Sequence, residues 1–271
     1  MVLQQHTNVK LWGKAQKNSP ITIKTSWDNK TYKTIADKQG KWLLNISTPV
    51  AGGPYEITFN DGELLTLKNI LIGEVWFCSG QSNMEMPMSG FDRQPTQGTN
   101  DVIAKAKAST PIRIYNTDSK DGKWIRQFSK TPEEDCKGEW LENTPVNVSH
   151  TSATAYFFAQ YLQEVLEVPV GIIISSLGGS KVEAWMSREA ITSILNNNEP
   201  IKNITATPCV LYNSKIAPFT NFTIKGFLWY QGESNRDNVD LYKDLMPVFV
   251  KDIRNKWNIG EFPFYFVEIA P

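Results

Sequence analysis

The apolar run Ile70-Leu71-Ile72-Gly73-Glu74-Val75-Trp76-Phe77-Cys78 stops at Ser79-Gly80-Gln81-Ser82-Asn83, and this junction constrains the fold more than any other stretch. A run of this length, closed by glycine, reads as a buried strand. A rigid strand that ends at a glycine and presents one serine on the next turn aims that hydroxyl, with a helix starting beneath it. This is how an α/β protein displays a nucleophile. Alone, the motif is weak, because a serine after a glycine most often marks a plain turn.

The sequence around the junction has two textures. Residues 1 to 68 carry short alternating segments such as Val9-Lys10-Leu11-Trp12-Gly13, Ile21-Thr22-Ile23-Lys24-Thr25 and Trp42-Leu43-Leu44-Asn45-Ile46. Turn signals separate them at Asn18-Ser19-Pro20, Asp28-Asn29, Gln39-Gly40, Gly52-Gly53-Pro54 and Asp61-Gly62, which predicts a small antiparallel β-sandwich. Its expected role is structural support, with sugar binding as the alternative.

From residue 69 to 271 the period changes. Strand candidates Ile70–Cys78, Ile112–Tyr115, Val170–Ser175, Ile224–Tyr230 and Phe264–Ile269 alternate with helical stretches. The spacing of Ala155, Phe158, Ala159, Leu162, Val165 and Leu166 predicts a helix from Ser152 to Glu167, ended before Pro169. A second helix is predicted from Val239 to Trp257, with Leu241, Leu245, Val248, Phe249 and Ile253 on one face. Strands alternating with helices imply an α/β fold, a parallel sheet covered on both sides, with ligands at the carboxyl ends of its strands. Residues 118 to 150, with Gly122 and Gly138, read as a long polar loop over one edge.

Three of these strand ends carry polar sequences: Ser79-Gly80-Gln81-Ser82-Asn83-Met84-Glu85, Ser175-Ser176-Leu177-Gly178-Gly179-Ser180-Lys181-Val182-Glu183-Ala184-Trp185, and Trp229-Tyr230-Gln231-Gly232-Glu233-Ser234-Asn235. In a doubly wound sheet all three converge. Glycines let backbone N–H groups approach a ligand, as an oxyanion site requires, and the Gln231 or Asn235 amide could add a donor. Gln81, Asn83, Trp185 and the Met86-Pro87-Met88 stretch are candidate walls, although packing explains the apolar ones equally well.

Composition narrows the function classes. Lysine plus arginine and aspartate plus glutamate number 28 each, so nothing favours nucleic acid or an anionic membrane surface. No run reaches the roughly 18 apolar residues of a membrane span, and no signal peptide is visible. Nine tryptophans suit core packing and also carbohydrate contact. Cys78, Cys136 and Cys209 have no CxxC spacing, so neither a zinc site nor a disulfide framework is inferred, and Cys78 reads as core. Sequons at Asn45, Asn147, Asn203 and Asn221 matter only in a eukaryotic secretory pathway.

Gly73-Glu74-Val75-Trp76-Phe77-Cys78-Ser79-Gly80-Gln81-Ser82-Asn83-Met84-Glu85 closely resembles the nucleophile segment of the sialate O-acetylesterase family, which is related to acetylxylan esterases. Trp229 to Asn235, Gly178 to Trp185 and the amino-terminal region from Met1 to Tyr55 resemble family segments too, so the similarity spans essentially the whole chain. The resemblance implies an SGNH hydrolase with a flavodoxin-like three-layer α/β/α fold that removes acetyl groups from sialic acid or another sugar. It implies Ser82 as nucleophile, an oxyanion hole from the N–H groups of Ser82 and Gly179 with Gln231 or Asn235, and Glu233 as a brace or a histidine-orienting group. No metal or organic cofactor is implied, and a periplasmic or secreted site is expected.

A serine hydroxyl needs a base, and the family's Asp-x-x-His-Pro type segment has no counterpart here. Only His6 and His150 are present, and His150 in Val148-Ser149-His150-Thr151-Ser152 reads as part of a helix start. The expectation is a chain truncated before its base, weakly active or inactive, with an open sheet edge covered by a further segment or by a second copy. The competing expectation is a carbohydrate-binding or scaffolding protein that kept the fold without the catalysis.

Overall fold

The computed structural model describes residues 1–117, 119–120, 123–124, 127–197 and 207–270. Gly122 and Asn203, singled out above, lie outside the described residues.

Strand β1 (Val2–Gln4) runs parallel to the middle of a much longer strand, β7 (Leu64–Gly80). Between them, β2 (Asn8–Lys14) pairs antiparallel with β5 (Lys41–Ser47). Strands β3 (Pro20–Thr25), β4 (Thr31–Ile35) and β6 (Gly52–Asn60) join the first part of β7 in the order β4-β3-β6-β7. Period-two alternation turns Val9, Leu11 and Ile46 of one sheet toward Ile21, Ile23, Ile57 and Ile70 of the other, forming one buried cluster. Gly52-Gly53-Pro54, expected as a turn, instead begins β6. Its register against β7 shifts between Gly52 and Tyr55, and Gly53 takes up the irregularity with φ of 126°.

β7 then crosses into a second arrangement without a break. It pairs from Glu74 with β12 (Val170–Ser176) and from Trp76 to Gly80 also with β13 (Gly226–Tyr230), parallel to both. Including β8 (Ile112–Asn116), β11 (Trp140–Glu142) and β14 (Phe264–Phe266), the order across this half is β11-β8-β12-β7-β13-β14, with only β11 antiparallel. The expected division after residue 68 falls inside β7.

Helices cover both faces. Val75, Phe77, Ile173, Phe227 and Trp229 pack against α5 (Arg188–Asn197) and α6 (Val239–Trp257). Trp76, Cys78, Ile114, Ile172, Ile174 and Leu228 face α4 (Ala153–Leu166), joined by α1 (Ser82–Glu85) and α2 (Thr99–Lys105). The result is the α/β/α layering expected. Ser152 caps α4 by accepting from the Ala155 N–H, and Glu167 closes it in a left-handed conformation. Val165 and Leu166 are exposed in its last turn, because contact with the sheet is made by the small residues Ala155 and Ala159 of the earlier turns. Buried Leu245, Phe249, Ile253 and Trp257 give α6 the predicted i, i+4 stripe.

The region expected as a long loop holds more structure than its composition suggested. Short strands β9 (Ser119–Lys120) and β10 (Lys123–Trp124) form a ribbon, β11 adds to the sheet edge, and α3 (Pro145–Ser149) follows. These pieces are held by pairing with neighbours, so they show no periodicity of their own. Among the described residues, no helix is long and apolar enough to cross a membrane.

At the crossing point of β7, a Cβ on Gly73 would sit 1.9 Å from the Pro169 carbonyl oxygen, a backbone atom that cannot step aside. Gly73→Ala should therefore cost about 3 kcal/mol or more. Chemical denaturation of the two proteins checks this, with a loss below ~1 kcal/mol counting against it.

Candidate active site

The three polar strand ends meet, and the meeting is built from backbone contacts. Gly80, the last residue of β7, has φ of 149°, and a Cβ there would lie 2.1 Å from the Tyr230 carbonyl oxygen. That same oxygen accepts the Gln81 N–H at 3.0 Å, while the Gly80 carbonyl accepts the Leu177 N–H at 3.0 Å. The ends of β12, β7 and β13 are thus tied to one another at the residue before the Gln81-Ser82 turn. The Gln81 carbonyl accepts from the N–H groups of Met84 and Glu85, which starts α1 directly at Ser82. Fully buried Met84 roots the turn in the core, and the Thr154 hydroxyl donates to the Asn83 carbonyl at 3.0 Å. Ser82 itself is half-buried.

The second loop stands against this turn. The Gly178 N–H donates to Glu85 Oε2 at 2.5 Å, and a Cβ at Gly178 would come 3.7 Å from that of Ser82. Gly179 is exposed, has φ of 71°, and meets nothing within 4 Å of where a Cβ would lie. It is the open position of this loop, next in sequence to the glycine that approaches the serine. Ser180 turns the chain inward, donating its hydroxyl to the Leu177 carbonyl at 2.7 Å and accepting from Trp185 Nε1 at 2.9 Å. Trp185 is fully buried, edge-on to Trp229 with ring centroids 6.0 Å apart. It cannot form a substrate wall as expected; its indole anchors the loop from below. Met88 is likewise fully buried in the core.

The third loop is sewn to the first. Gln81 is buried, and its Oε1 accepts from the N–H groups of Gly232 at 3.4 Å and Ser234 at 3.2 Å. It therefore braces the loop and lines no wall. Asn83, at the surface, donates from Nδ2 to Glu233 Oε1 at 2.5 Å. Beneath them, Gln231 Nε2 donates to the Ser180 carbonyl at 3.0 Å and to Asn235 Oδ1 at 2.8 Å, so both its amide protons are engaged. That rules it out as an oxyanion donor in this geometry. Asn235 Oδ1 also accepts the Val182 N–H at 3.1 Å, and its Nδ2 donates to buried Glu183 at 2.9 Å. Two donors face its oxygen and a carboxylate faces its nitrogen, which fixes the orientation of the amide. Tyr242 donates its hydroxyl to the Gln231 carbonyl at 2.8 Å, and burial raises its pKa.

Glu85, Ser180, Glu183 and Tyr242 carry this architecture without having been singled out. Glu85 had a usable signal, its place one turn after Ser82; the partners of the others are set by tertiary folding.

His150 caps the carboxyl end of α3 and is exposed, and His6 is exposed in a turn. Among the described residues, neither imidazole is hydrogen-bonded to Ser82. Nor does any group of three or more His, Cys, Asp or Glu residues there gather as metal ligands. Cys78 is buried, and burial pushes its thiol pKa up, which leaves it inert.

A family profile described as carbohydrate esterase, sialic acid-specific acetylesterase, matches residues 72–271. The chain belongs to this acetylesterase family. Sialate O-acetylesterases of mouse and human are 27% and 28% identical to it over the whole chain. The chain spans 58% and 55% of their lengths, a little over half. A carbohydrate acetylesterase from Xanthomonas citri superposes with a TM-score of 0.84 at 30% identity, covering 98% of this chain and 57% of that one. The family profile begins at Ile72, so it takes in all three strand-end loops described above.

Removing Asn235 would leave the Val182 N–H, a Gln231 amide proton and the Glu183 carboxylate without partners in a buried setting. Asn235→Ala should cost about 3 kcal/mol, whereas Asn83→Ala at the surface should cost less than ~1 kcal/mol. Thermal unfolding of both variants by calorimetry tests that ranking.

Proposed function

We propose that the chain carries the acyl-transfer machinery of a carbohydrate O-acetylesterase. Ser82 Oγ attacks the carbonyl carbon of an acetyl ester, and the charge that develops on the carbonyl oxygen is met by the N–H groups of Ser82 and Gly179. Collapse releases the sugar hydroxyl and leaves acetyl-Ser82, which water hydrolyses. The observation that carries this reading is the juxtaposition of half-buried Ser82 with the exposed Gly178-Gly179 turn, held by the hydrogen bond from the Gly178 N–H to Glu85. Asn83 holds one oxygen of Glu233, which favours bracing over proton transfer for that carboxylate.

The substrate is an acetylated sugar. The names of the mouse and human relatives support an O-acetylated sialic acid, and that of the Xanthomonas protein supports carbohydrate acetates more broadly. The β-sandwich serves as a supporting domain to the esterase domain.

Neither imidazole bonds to Ser82, so residues 1–271 alone are expected to turn over slowly. A site without its base keeps only ~10³–10⁴-fold over water. The same observation favours a second reading, a carbohydrate-binding protein that retains the fold without catalysis. An organophosphonate separates the two. Adduct formation on Ser82, seen by peptide mass spectrometry and abolished in Ser82→Ala, is expected of the esterase; an unlabelled serine would leave the binding reading. In parallel, aryl acetate turnover per site by residues 1–271 should stay within roughly 10³–10⁴-fold of the buffer reaction, and Ser82-dependent turnover far above that would refute the lack of a base.

A further inference from the structure

Gly179 also lines a concavity of about 470 Å³. Its walls include Gly179, Ala184, Val210, Leu211 and Phe128, with Thr207 at the rim. Phe128 stands out among them. Its side chain is 58% exposed, yet the backbone on either side of it is fastened down. Gln127 donates from Nε2 to the Thr117 carbonyl at 3.0 Å, and its own carbonyl accepts the Ser214 hydroxyl at 2.9 Å. On the other side, the Ser129 N–H donates to the Val210 carbonyl at 3.3 Å, and the Ser129 carbonyl accepts from Asn213 Nδ2 at 3.2 Å. Asn213 and Ser214 belong to a π-helical turn over Tyr212–Ile216, an irregular geometry found most often where function demands it.

Single exposed apolar side chains need no explanation as a rule. This one is different because the chain fixes its position without burying it. Ordering backbone carries an entropic cost, and a ring left 58% exposed offsets little of it by burial. A rigid aromatic face at the mouth of a cleft suits a ligand with a flat apolar side, since the ring presents its negative face to weakly positive C–H groups. A pyranose has such a side, with polar hydroxyls around its rim. Beside its apolar walls the cleft is also lined by Ser180, Lys181 and Thr207, a mixture that suits a ligand with one apolar face and polar groups around it.

We propose that Phe128 is the platform on which the sugar bearing the acetyl ester lies, its C–H face against the ring, while the acetyl group reaches past Gly179 to Ser82. This rests on the acyl-transfer reading of Ser82 and adds to it the residue that selects the alcohol side of the ester.

Binding reads this without requiring turnover. The methyl glycoside of 9-O-acetyl-N-acetylneuraminic acid is titrated by calorimetry or saturation-transfer NMR into residues 1–271 carrying Ser82→Ala, so that the ester stays intact. Phe128→Ala in that background should weaken affinity by about tenfold or more, and Phe128→Trp should stay within about threefold of the parent. Phe157→Ala, on α4 across the sheet, should change nothing. Equal affinity of Phe128→Ala and the parent, equal loss in the Ala and Trp variants, or no binding by the parent would each overturn the proposal. Organophosphonate labelling, done with Ser82 present, keeps the two ideas apart. Unchanged labelling in Phe128→Ala supports a role confined to the sugar, and labelling lost in that variant alone would mean a collapsed loop and overturn it. If Ser82 resists the reagent even in the unmodified chain while Phe128→Ala still loses the sugar, the platform stands and the esterase reading is what fails.

Discussion

At Gly80 two backbones come closer than any side chain would allow, the Cα of one strand's last residue set against the Tyr230 carbonyl of the next. That contact decides how β7 ends. With no Cβ in the way, the chain can take a φ of 149° and turn sharply, so that the following serine begins a helix instead of extending the strand. It also places the Tyr230 oxygen where the Gln81 amide can reach it. The position of the Ser82 turn is therefore a property of sheet geometry, set before any polar side chain contributes.

Polar side chains then divide into two layers. The deeper one, Gln231, Asn235, Glu183, Ser180 and the Trp185 indole, is buried and almost fully hydrogen-bonded. In a low-dielectric interior such a network resists rearrangement, because breaking one member strands the others. The outer layer is sparse: a serine, two glycines, an asparagine and the Glu85 and Glu233 carboxylates. Under the acyl-transfer reading proposed above, the backbone N–H groups of this layer would meet the developing charge already in place, with little reorganisation when it appears.

Much of this was legible in the sequence, for identifiable reasons. The α4 and α6 helices announced themselves through helical spacing of apolar residues, with Pro169 marking the end of the first, and the strand before Ser82 through its unbroken apolar run. Gly52-Gly53-Pro54 misled because the same residues that make turns also make irregular strand starts. β11 was missed because three residues are too few to show a period, and its pairing with β8 comes from tertiary structure. Within the site, residue type identified the loops that converge but not which side of each loop faces the core. Trp185, Gln81 and Gln231 carry groups suited to contacting a ligand, and folding turns each of them inward.

The 17-residue span of β7 takes part in the antiparallel pairing of the amino-terminal half and in the parallel arrangement of the second half, with no break between them. Its first half closes the amino-terminal sandwich and its last residues aim the serine, so the two halves share one piece of extended backbone. A tether of that kind transmits torsion. The sandwich acts as a mount that holds the strand's twist constant, and it offers no linker at which one module could be exchanged for another.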